Sequence, residues 1–454
     1  MAERLLVIGG DAGGMAAASQ ARRRRADLEI VALEKGHWTS YSACGIPYVV
    51  GGDVAGLDEL VARSPQQFRD GFNVDVRMRS EAMAIDLPAR SVEVRDHEHN
   101  RTYKLGFDHL HIGTGATPVR PPLPGIELGL VHGVQTLDDG AHLLEHARRR
   151  EVSKVVVVGG GYIGLEMAEA FVKRGVDSVT VVDGAPEVMS TLDADMGALV
   201  SRAMRDHGIT VRLGQAVQGF DERGVVTADG RLDADLVVLG LGVAPNTALA
   251  QAAGIATGVR AAIVVDRRQR TSAPGVWAAG DCCESFHLVL ERPVHIALGT
   301  VANKQGRVAG INLGGGYATF PGVVGTAVTK LCAVEVARTG LSEREATAAG
   351  FEYEAVKVES TTRAGYFPGA GLITIKMLAE RRSGRLLGAQ LVGMEGAAKR
   401  IDVLATALTA RMTVEEMTAL DLSYAPPFSP VWDPVLIAAR KAAEAVEASA
   451  AAAG

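Results

Sequence analysis

Cys44 is the residue of this sequence whose type and setting best suit redox chemistry. It lies in the segment TSYSACGIPYVVGG, where small residues precede an apolar run that predicts a helix beginning near Cys44. Partial positive charge at a helix N-terminus lowers the pKa of a thiol and favours the thiolate, the form that attacks disulfides. On local sequence alone, a buried and inert cysteine is the alternative.

The other three cysteines are expected to be inert. Cys282 and Cys283 are vicinal, a spacing that rarely gives a productive redox pair, and Cys332 lies in an apolar, strand-like run that predicts a core position. Four cysteines in 454 residues exclude a disulfide scaffold. No CxxC spacing or histidine cluster surrounds them, so the cysteines predict no metal site.

Two segments of the chain repeat one pattern. RLLVIGGDAGGMAAASQARRR and SKVVVVGGGYIGLEMAEAFVKRG each indicate a buried strand, a glycine-rich turn and a helix. A second apolar strand follows each of them and ends in an acid: Glu34 lies 25 residues after Gly9, and Asp183 lies 24 residues after Gly159. A single glycine-rich turn is a weak signal, but recurrence of the whole pattern is a strong one.

The repeat predicts two dinucleotide-binding units. Glycines let the backbone approach a pyrophosphate at the helix N-terminus, and the acid at the end of the next strand holds ribose hydroxyls. Two units in one chain predict two dinucleotides, or FAD and NAD(P) side by side. The glycines assigned to the two turns are Gly9, Gly13 and Gly14, and Gly159, Gly161 and Gly164.

Asp11 departs from this pattern, because it stands where the second glycine of the first turn is expected. A carboxylate at that position would face a pyrophosphate. We therefore expect the Asp11 side chain to point away from it or to be offset by the helix dipole.

Two further segments suit FAD. LHIGTGATPVRPPLPG is a strand that reaches Thr114 and Gly115 and then a proline-rich crossover between domains. TSAPGVWAAGDC delivers Gly280 and Asp281 at the end of a short strand, where the carboxylate can accept a hydrogen bond from a ribityl hydroxyl. A helix-capping role for Asp281 is the alternative.

Length and composition predict several α/β domains. The 454 residues exceed one core, and 47% hydrophobic content with 53 glycines fits a globular α/β protein. We expect an FAD-binding domain over 1-116 and 248-318, an NAD(P)-binding domain over 117-247 and an α+β domain over 319-454. In the last, LITIKMLAERRSGRLLGAQLVG predicts two strands around an SG turn, and the Ala-rich tail predicts a fading helix or a disordered end.

Charge and hydropathy predict the location of the protein and the classes of partner that it does not bind. The formal charge of -6 disfavours binding to nucleic acid or to a membrane surface. The N-terminus has no basic leader, and no charge-free apolar run is long enough to cross a bilayer, so a cytoplasmic protein is expected.

Taken together, these motifs resemble the pyridine nucleotide-disulfide oxidoreductases. Within them they resemble the single-cysteine branch, which includes coenzyme A-disulfide reductase, NADH oxidase, NADH peroxidase and persulfide reductases. The resemblance covers almost the whole chain, and it implies FAD, NAD(P)H and a homodimer with shared active sites, with 319-454 as the dimerisation domain. Cys44 lacks the partner of a CxxxxC pair, and SYAPPFSP replaces the histidine region of glutathione reductase-like members. Ala12 stands where the oxidases and peroxidases carry histidine, which disfavours a strong peroxidase.

The resemblance is greatest to coenzyme A-disulfide reductase. SYSACGIPY is similar to its Ser-Phe-x-Asn-Cys motif, with Ser40 and Cys44 matching. GYFPG and SYAPPFS imply Tyr366 and Tyr424 as tyrosines supplied by the other subunit to protonate a departing thiolate; a packed aromatic is the alternative for Tyr424. Ala43 replaces the family asparagine, which leaves a different small disulfide, a persulfide or a polysulfide open as substrate.

The resemblance also assigns binding residues. Arg22 matches a basic position that contacts coenzyme A phosphate, and VANKQGRVAG matches a stretch near the same pocket; a solvated helix face is the alternative. Tyr162 resembles the residue that covers the flavin until nicotinamide displaces it. The remaining assignments are Lys35, Ala82, Ala297, Leu298, Ile163 and Gly242 for the cofactors, and Ser40, Tyr41, Asn303, Lys304 and Arg307 for the substrate.

Asp183 predicts NADH over NADPH, because a carboxylate repels a 2'-phosphate and no arginine follows it in VVDGAPEVM. The implied mechanism passes electrons from nicotinamide through flavin to Cys44, with a helix that begins near Ala297, Leu298 and Gly299 directed at the flavin. Two alternatives stay open, an NADH oxidase that reduces oxygen and a non-catalytic redox-sensing flavoprotein.

Overall fold

The computed structural model describes residues 3–149 and 152–453. Three units, each with its own sheet, make up the described chain, and the first unit is formed by two separate stretches of sequence. The three five-stranded sheets take their strands from residues 4–112 with 276–278, from residues 131–239 and from residues 327–393. No helix in the described part of the chain is both long enough and apolar enough to span a bilayer.

The first unit is a parallel α/β layer. Its elements are β1 (Arg4–Ile8), α1 (Ala12–Arg24), β2 (Glu29–Leu33), α2 (Ile46–Gly51), α3 (Pro65–Phe72), β3 (Val74–Arg77), β4 (Ser80–Asp86), β5 (Ser91–Asp96), β6 (Arg101–Gly106), β7 (His109–Ile112), α7 (Ala248–Ala252), β18 (Val276–Ala278), β19 (Ser285–His287), β20 (Arg292–Val294) and α8 (Gly299–Leu313). The parallel sheet has the order β18-β7-β1-β2-β3, and β4-β5-β6 form an antiparallel sheet beside it. Near-continuous apolar runs such as RLLVI suit strands that are covered on both faces.

Helices α1 and α8 cross at unusually close range. A Cβ placed on Gly306 would lie 2.3 Å from the carbonyl oxygen of Gly13, and one on Gly310 would lie 2.4 Å from that of Ala17. Only glycine permits this approach of one helix backbone to the other. The returning stretch of the chain is therefore fixed directly against the first glycine-rich turn.

The second unit repeats this architecture. Its elements are β9 (Val131–His132), α4 (Leu137–Arg149), β10 (Lys154–Val158), α5 (Tyr162–Lys173), β11 (Ser178–Val182), α6 (Ala194–Asp206), β12 (Thr210–Arg212), β13 (Val217–Asp221), β14 (Gly224–Thr227), β15 (Gly230–Asp233) and β16 (Leu236–Leu239). The parallel sheet has the order β12-β11-β10-β16-β9, and β13-β14-β15 form a separate antiparallel sheet.

Two short strands join the first and second units. β8 (Ala116–Pro118) and β17 (Val243–Pro245) pair antiparallel. Thr114 Oγ1 donates a hydrogen bond of 2.6 Å to the carbonyl oxygen of Asn246, whose amide nitrogen in turn donates to that of Gly115 at 2.9 Å. The chain therefore enters and leaves the second unit at one point.

The third unit is an antiparallel sheet covered by helices. Its elements are β21 (Ala327–Leu331), β22 (Val334–Gly340), α9 (Glu343–Ala348), β23 (Tyr353–Thr361), β24 (Leu372–Glu380), β25 (Leu386–Gly393), α10 (Ile401–Ala410), α11 (Val414–Thr418) and α12 (Pro434–Ala453). The sheet order is β21-β22-β25-β24-β23, and β24 and β25 flank the predicted SG turn.

The Ala-rich tail corrects one expectation. Of the two predicted alternatives, the helix is confirmed, because α12 runs without interruption over 20 residues and only the disordered end is wrong. Val435, Ala438, Ala439 and Ala442 are fully buried against the core of the third unit. Small side chains let this helix lie close to the sheet, a tertiary contact that composition alone does not reveal.

A buried lysine ties the second unit to the third. Lys376 Nζ lies 3.3 Å from Asp193 Oδ2 and 2.8 Å from Asp195 Oδ1, and it also pairs with Glu343. The three carboxylates are close enough together to share one cation. The Lys376 ammonium already fills that role.

The three cysteines outside the Cys44 segment lie in two settings. Cys282 and Cys283 are fully buried, as predicted. Cys332 was expected in the core, and this is wrong. It is half-buried in the turn between β21 and β22 with φ of +52°, because the apolar run bends into a hairpin there.

Candidate active site

The two glycine-rich turns have closely matching geometry. Gly9 and Gly159 both have φ of +102°, which L side chains rarely adopt. A Cβ on Gly14 would lie 1.9 Å from the carbonyl oxygen of Gly9, and one on Gly164 would lie 1.9 Å from that of Gly159. Glycine is therefore required where each helix begins against its strand.

The acids after the two turns are held in the same way. Glu34 accepts hydrogen bonds from the amides of Gly10 at 2.8 Å and Gly36 at 2.7 Å. Asp183 accepts them from Gly160 at 2.7 Å and Ala185 at 2.8 Å. Both carboxylates are thus fixed beside their turns, with further lone pairs for a ribose.

Asp11 turns toward the loop that leads to Cys44. It makes no capping hydrogen bond to α1, and its Oδ1 accepts from the amide of Tyr41 at 3.2 Å. Burial, assisted by the nearby charges of Glu34 and Asp281, raises the Asp11 pKa to about 6. The carboxylate is therefore tied to the loop that leads to Cys44.

That loop is fastened to the first turn. Ser40 donates its amide to the carbonyl oxygen of Gly10 at 3.0 Å, next to the Tyr41 contact with Asp11. Cys44 follows in a single 3₁₀ turn, Ala43–Gly45, and α2 begins at Ile46. The helix start is where the sequence predicted it, and Cys44 is exposed next to the first dinucleotide turn.

The expected lowering of the Cys44 pKa is wrong. Burial of the sulfur raises it, and the charges of Glu166, Asp281 and Asp11 raise it further. Helix α2 has only six residues, so its terminal charge does not outweigh three carboxylates. The chain alone does not provide the stabilisation that a thiolate needs.

Asp281 carries a buried oxygen without a partner. No described protein group makes a hydrogen bond to its Oδ1, and burial raises the Asp281 pKa. An unsatisfied buried carboxylate oxygen is costly, so it suits an incoming hydroxyl donor such as that of a ribityl chain. The residues here fit FAD: a glycine turn, a fixed acid and a free acceptor lie around one helix N-terminus.

Two residues near the site were not assigned from the sequence. Glu166 lies four residues after Tyr162 on α5, has a pKa raised by burial, and accepts from Thr329 Oγ1 at 3.0 Å. Gln305 is fully buried on α8 and accepts from the amide of Gly280 at 2.9 Å. Glu166 lies one helical turn after Tyr162, and this spacing is the sequence signal that could have identified it. Gln305 lies within VANKQGRVAG, a stretch in which the sequence analysis assigned only the exposed neighbours of Gln305 to the substrate.

Arg22 corrects another expectation. All five of its N–H donors are used by main-chain carbonyl oxygens, those of Arg25, Ala26, Leu28, Phe72 and Asn73. No donor remains for a coenzyme A phosphate in this structure. Arg22 instead fastens the end of α1 to the loops around it.

The other polar residues assigned to substrate binding on α8 lie on one exposed face of that helix. Asn303, Lys304 and Arg307 are exposed on α8, where Asn303 Nδ2 donates to the carbonyl oxygen of Gly299 at 2.9 Å. Helix α8 begins at Gly299, directly after Ala297 and Leu298, as predicted. The substrate role of these side chains stays a prediction.

The remaining cofactor assignments fall at several places in the two units. Lys35 is exposed directly after Glu34, and Ala82 lies on β4. Tyr162 and Ile163 open α5, and burial raises the pKa of the Tyr162 phenol. Gly242 follows β16 with φ of +81°. Their contacts with a cofactor stay predictions.

The two tyrosines implied by the resemblance lie together on the third unit. Tyr366 is 79% exposed and Tyr424 48% exposed. Lost solvation, followed by the charge and hydrogen bond of Tyr366, raises the Tyr424 pKa. Phe428, Val431 and Trp432 are exposed on the same segment as Tyr424. Within the described residues of one chain, no hydrogen bond joins either tyrosine to Cys44.

Comparison with known proteins identifies the family. The sequence profile of the pyridine nucleotide-disulphide oxidoreductases matches residues 3–306, and that of their dimerisation domain matches residues 326–434. The chain belongs to this family. It is a FAD-dependent oxidoreductase that uses NAD(P)H.

Three named proteins are similar to this chain over nearly its whole length. A CoA-dependent NAD(P)H sulfur oxidoreductase of Pyrococcus abyssi is 37% identical over 440 residues, which are 96% of this chain and 97% of that protein. An NADH oxidase of Methanocaldococcus jannaschii is 35% identical over 97% of this chain and 98% of its own. The solved NAD-dependent persulfide reductase of A. fulgidus superposes with a TM-score of 0.95 at 39% identity, over 98% of this chain and 84% of that one.

Proposed function

We propose that this enzyme uses NADH to reduce a low-molecular-weight disulfide or persulfide through Cys44, with coenzyme A as the favoured thiol. The observation that carries this proposal is the position of Cys44. Among the four cysteines it is the exposed one, on a loop hydrogen-bonded to the first dinucleotide turn. A sulfur with this position can be reached by a small substrate on one side and by a cofactor on the other.

The reaction balances at that sulfur. The Cys44 thiolate attacks one sulfur of RSSR, forms a mixed disulfide and expels one RS⁻, which takes up a proton. Two electrons from NADH then cleave the mixed disulfide, which releases the second thiol and restores Cys44. With a persulfide RSSH, the same steps give RSH and hydrogen sulfide. FAD, when bound, carries the electron pair from nicotinamide to sulfur.

Protonation of the departing thiolate is the step that we assign to the partner subunit. The carboxylates around Cys44 disfavour its thiolate, as they raise its pKa. Tyr424 and Tyr366 are exposed on the dimerisation domain beside large apolar side chains, as expected of a face covered by a second copy. In a homodimer with shared active sites, they would reach Cys44 of the other subunit and protonate the departing thiolate.

Substitution of Cys44 tests the proposal directly. Cys44→Ser removes the nucleophile, so turnover of coenzyme A disulfide and of a persulfide should fall to background while NADH still bleaches the flavin absorbance. Cys332→Ser, which removes a half-buried thiol in a hairpin turn, is the matched control and should retain both activities. Disulfide turnover by Cys44→Ser at the rate of the parent would reject the redox thiol.

Oxygen consumption distinguishes the proposed disulfide reductase from an NADH oxidase. In air-saturated buffer with NADH alone, the proposed enzyme consumes little oxygen, and adding the disulfide accelerates NADH oxidation. Rapid NADH oxidation under air that no disulfide changes would instead favour an NADH oxidase.

The tyrosine role has its own test. Tyr424→Phe keeps the ring and removes the proton donor, so kcat should fall by roughly a hundredfold, at the lower limit of typical general-acid effects. The KM for the disulfide and the rate of flavin reduction by NADH should hardly change. Phe428→Leu, on the same exposed segment, controls for loss of the dimer, which gel filtration detects. An unchanged kcat for Tyr424→Phe would contradict the role.

A further inference from the structure

The second unit has a histidine-lined cavity on the edge strand of its sheet. The cavity lies where β9 and α4 meet the turn between β13 and β14. None of the dinucleotide-binding residues assigned above lines it. The lining residues are Leu128, Gly129, Leu130, His132, His142, Glu145, His146 and Glu222.

Two of these histidines face each other. His132 Nε2 lies 3.2 Å from His146 Nδ1, and the two rings are edge-on with centroids 5.0 Å apart. Two nitrogens bound to one tetrahedral Zn²⁺ at about 2.0–2.1 Å are themselves about 3.3 Å apart. The observed separation is therefore the separation of two imidazole ligands on one ion.

A main-chain contact orients the His146 ring. His146 Nε2 lies 3.2 Å from the carbonyl oxygen of Asp235, which only accepts, so Nε2 carries the proton and Nδ1 presents a lone pair to His132. Such a contact fixes the tautomer and the ring plane of a metal-bound histidine.

The contact between the two rings is at present a hydrogen bond. Imidazole binds a transition metal through an unprotonated nitrogen, so an ion bound here would take the place of the proton between His132 and His146.

A third imidazole is one helical turn away. His142 and His146 are four residues apart on α4, so they lie on the same face of that helix. Two histidines at this spacing are a common part of zinc sites. His142 is exposed and lines the same cavity, but its nitrogens do not lie within ligand distance of both other rings, so metal binding requires its side chain to rotate toward the pair.

We propose that His132, His142 and His146 bind one divalent transition-metal ion per chain, with water in the remaining coordination position. Imidazole nitrogens suit Zn²⁺, Ni²⁺ and Cu²⁺ rather than Mg²⁺ or Ca²⁺. Bound there, the ion would clamp α4 to the edge strand β9. The site is separate from the redox centre proposed above.

Zinc binding by the flavin-loaded enzyme tests the site. The chelator-treated protein is equilibrated with zinc sulfate, passed through gel filtration and assayed for zinc per FAD. We expect one more zinc per chain in the parent than in the double variant His132→Ala/His146→Ala. The double variant His37→Ala/His207→Ala removes as many imidazoles outside the cavity and should match the parent. Equal zinc in the parent and the cavity variant would overturn the proposal.

A single exposed substitution guards against misfolding. His142→Ala leaves the His132–His146 pair intact, so the variant should fold and keep its FAD. Its affinity for zinc should be at least about tenfold lower than that of the parent, because one of three ligands is lost. Zinc should also raise the melting temperature of the parent and not that of the cavity double variant, because a ligand that binds the native state stabilises it. Parent-like zinc affinity in His142→Ala would overturn the three-histidine site.

Discussion

The two dinucleotide-binding units have the same glycine-rich turn, but different parts of the chain pack around it. In the first unit, the turn at Gly9 is packed against α8, whose glycines approach the backbone of α1 within van der Waals distance. Asp11 and Asp281 also stand around this turn. In the second unit, Gly161 replaces Asp11, and α5 is approached instead near its C-terminal end, where Gly51 of α2 lies against Ala170. The difference teaches that the first turn is enclosed at the helix start by a second pass of the chain, so we expect the nucleotide bound there to dissociate more slowly.

The largest effects should come from the glycines that close each turn. Gly14→Ala places a Cβ against the carbonyl oxygen of Gly9, and Gly164→Ala does the same at Gly159. Gly14→Ala should yield protein without FAD, measured by its absorbance ratio. Gly164→Ala should keep FAD and lose more than about a hundredfold in NADH-driven flavin reduction, since a clash of this kind costs several kcal/mol. Loss of FAD from both variants would show that the units are not independent.

Asp11 should give the next largest effect, and its sign depends on pH. Its folded-state pKa is raised from 3.8 to about 6, so the charged form is disfavoured in the folded state. The cost is absent below pH 3.8, grows as pH rises and reaches about 3 kcal/mol above pH 6, at 1.36 kcal/mol per unit. Asp11→Asn keeps an acceptor for the Tyr41 amide and removes the charge.

Urea unfolding across pH measures this effect. Asp11→Asn should be more stable than the parent at pH 8 and equal to it at pH 4, because protonation removes the difference. Bound pyrophosphate adds negative charge and enlarges the gain at pH 8. Gly161 offers no equivalent charge in the second unit, so Gly161→Asp should weaken NADH binding. A gain that is the same at pH 4 and pH 8 would contradict the assignment to ionisation.

Substitution of the acids Asp183 and Glu34 should have smaller effects, and these effects should differ between the two dinucleotide-binding units. Asp183→Asn weakens the contact with the adenosine ribose of NADH and should raise the KM for NADH about tenfold, the loss of one hydrogen bond to a charged group. The preference for NADH over NADPH should fall at the same time, since the repulsive charge is gone. Glu34→Gln should change FAD affinity alone, measured by ultrafiltration. Unchanged KM values in Asp183→Asn would contradict its proposed ribose contact.

Arg22 should have the smallest effect on catalysis. Arg22→Gln removes hydrogen bonds to several carbonyl oxygens and should lower the free energy of unfolding by about 2 kcal/mol. The KM for coenzyme A disulfide should stay the same, because the guanidinium has no donor left for phosphate. Lys304→Gln on the exposed face of α8 is the comparison: a raised KM there and not at Arg22 places the phosphate contact.

The features predicted from sequence are those that local geometry determines. Positive φ at Gly9 and Gly159, the acids after the next strands and the turn at Gly384 each follow from residue type at one place in the chain. The glycine repeat therefore identified the fold and two ligand-binding units before any contact was known.

Features that depend on distant neighbours were missed. The Cys44 pKa is raised by Glu166 from another unit and by Asp281 from the returning stretch of chain, and neither is near it in sequence. The resemblance implied a phosphate contact for Arg22, and the carbonyl oxygens that instead surround it come from separate loops. The burial of α12 likewise needs the sheet it covers.

The paired strands β8 and β17 have a consequence for how such a chain can change. Because the ends of the second unit emerge side by side and are tied together at Thr114 and Asn246, the unit is an insertion with a narrow neck. The unit is nevertheless not a free module, because residues of all three units share one hydrophobic core and Asp193 is bound to Lys376 of the third unit. Exchange of the whole unit would therefore require matching changes on the surfaces that it covers.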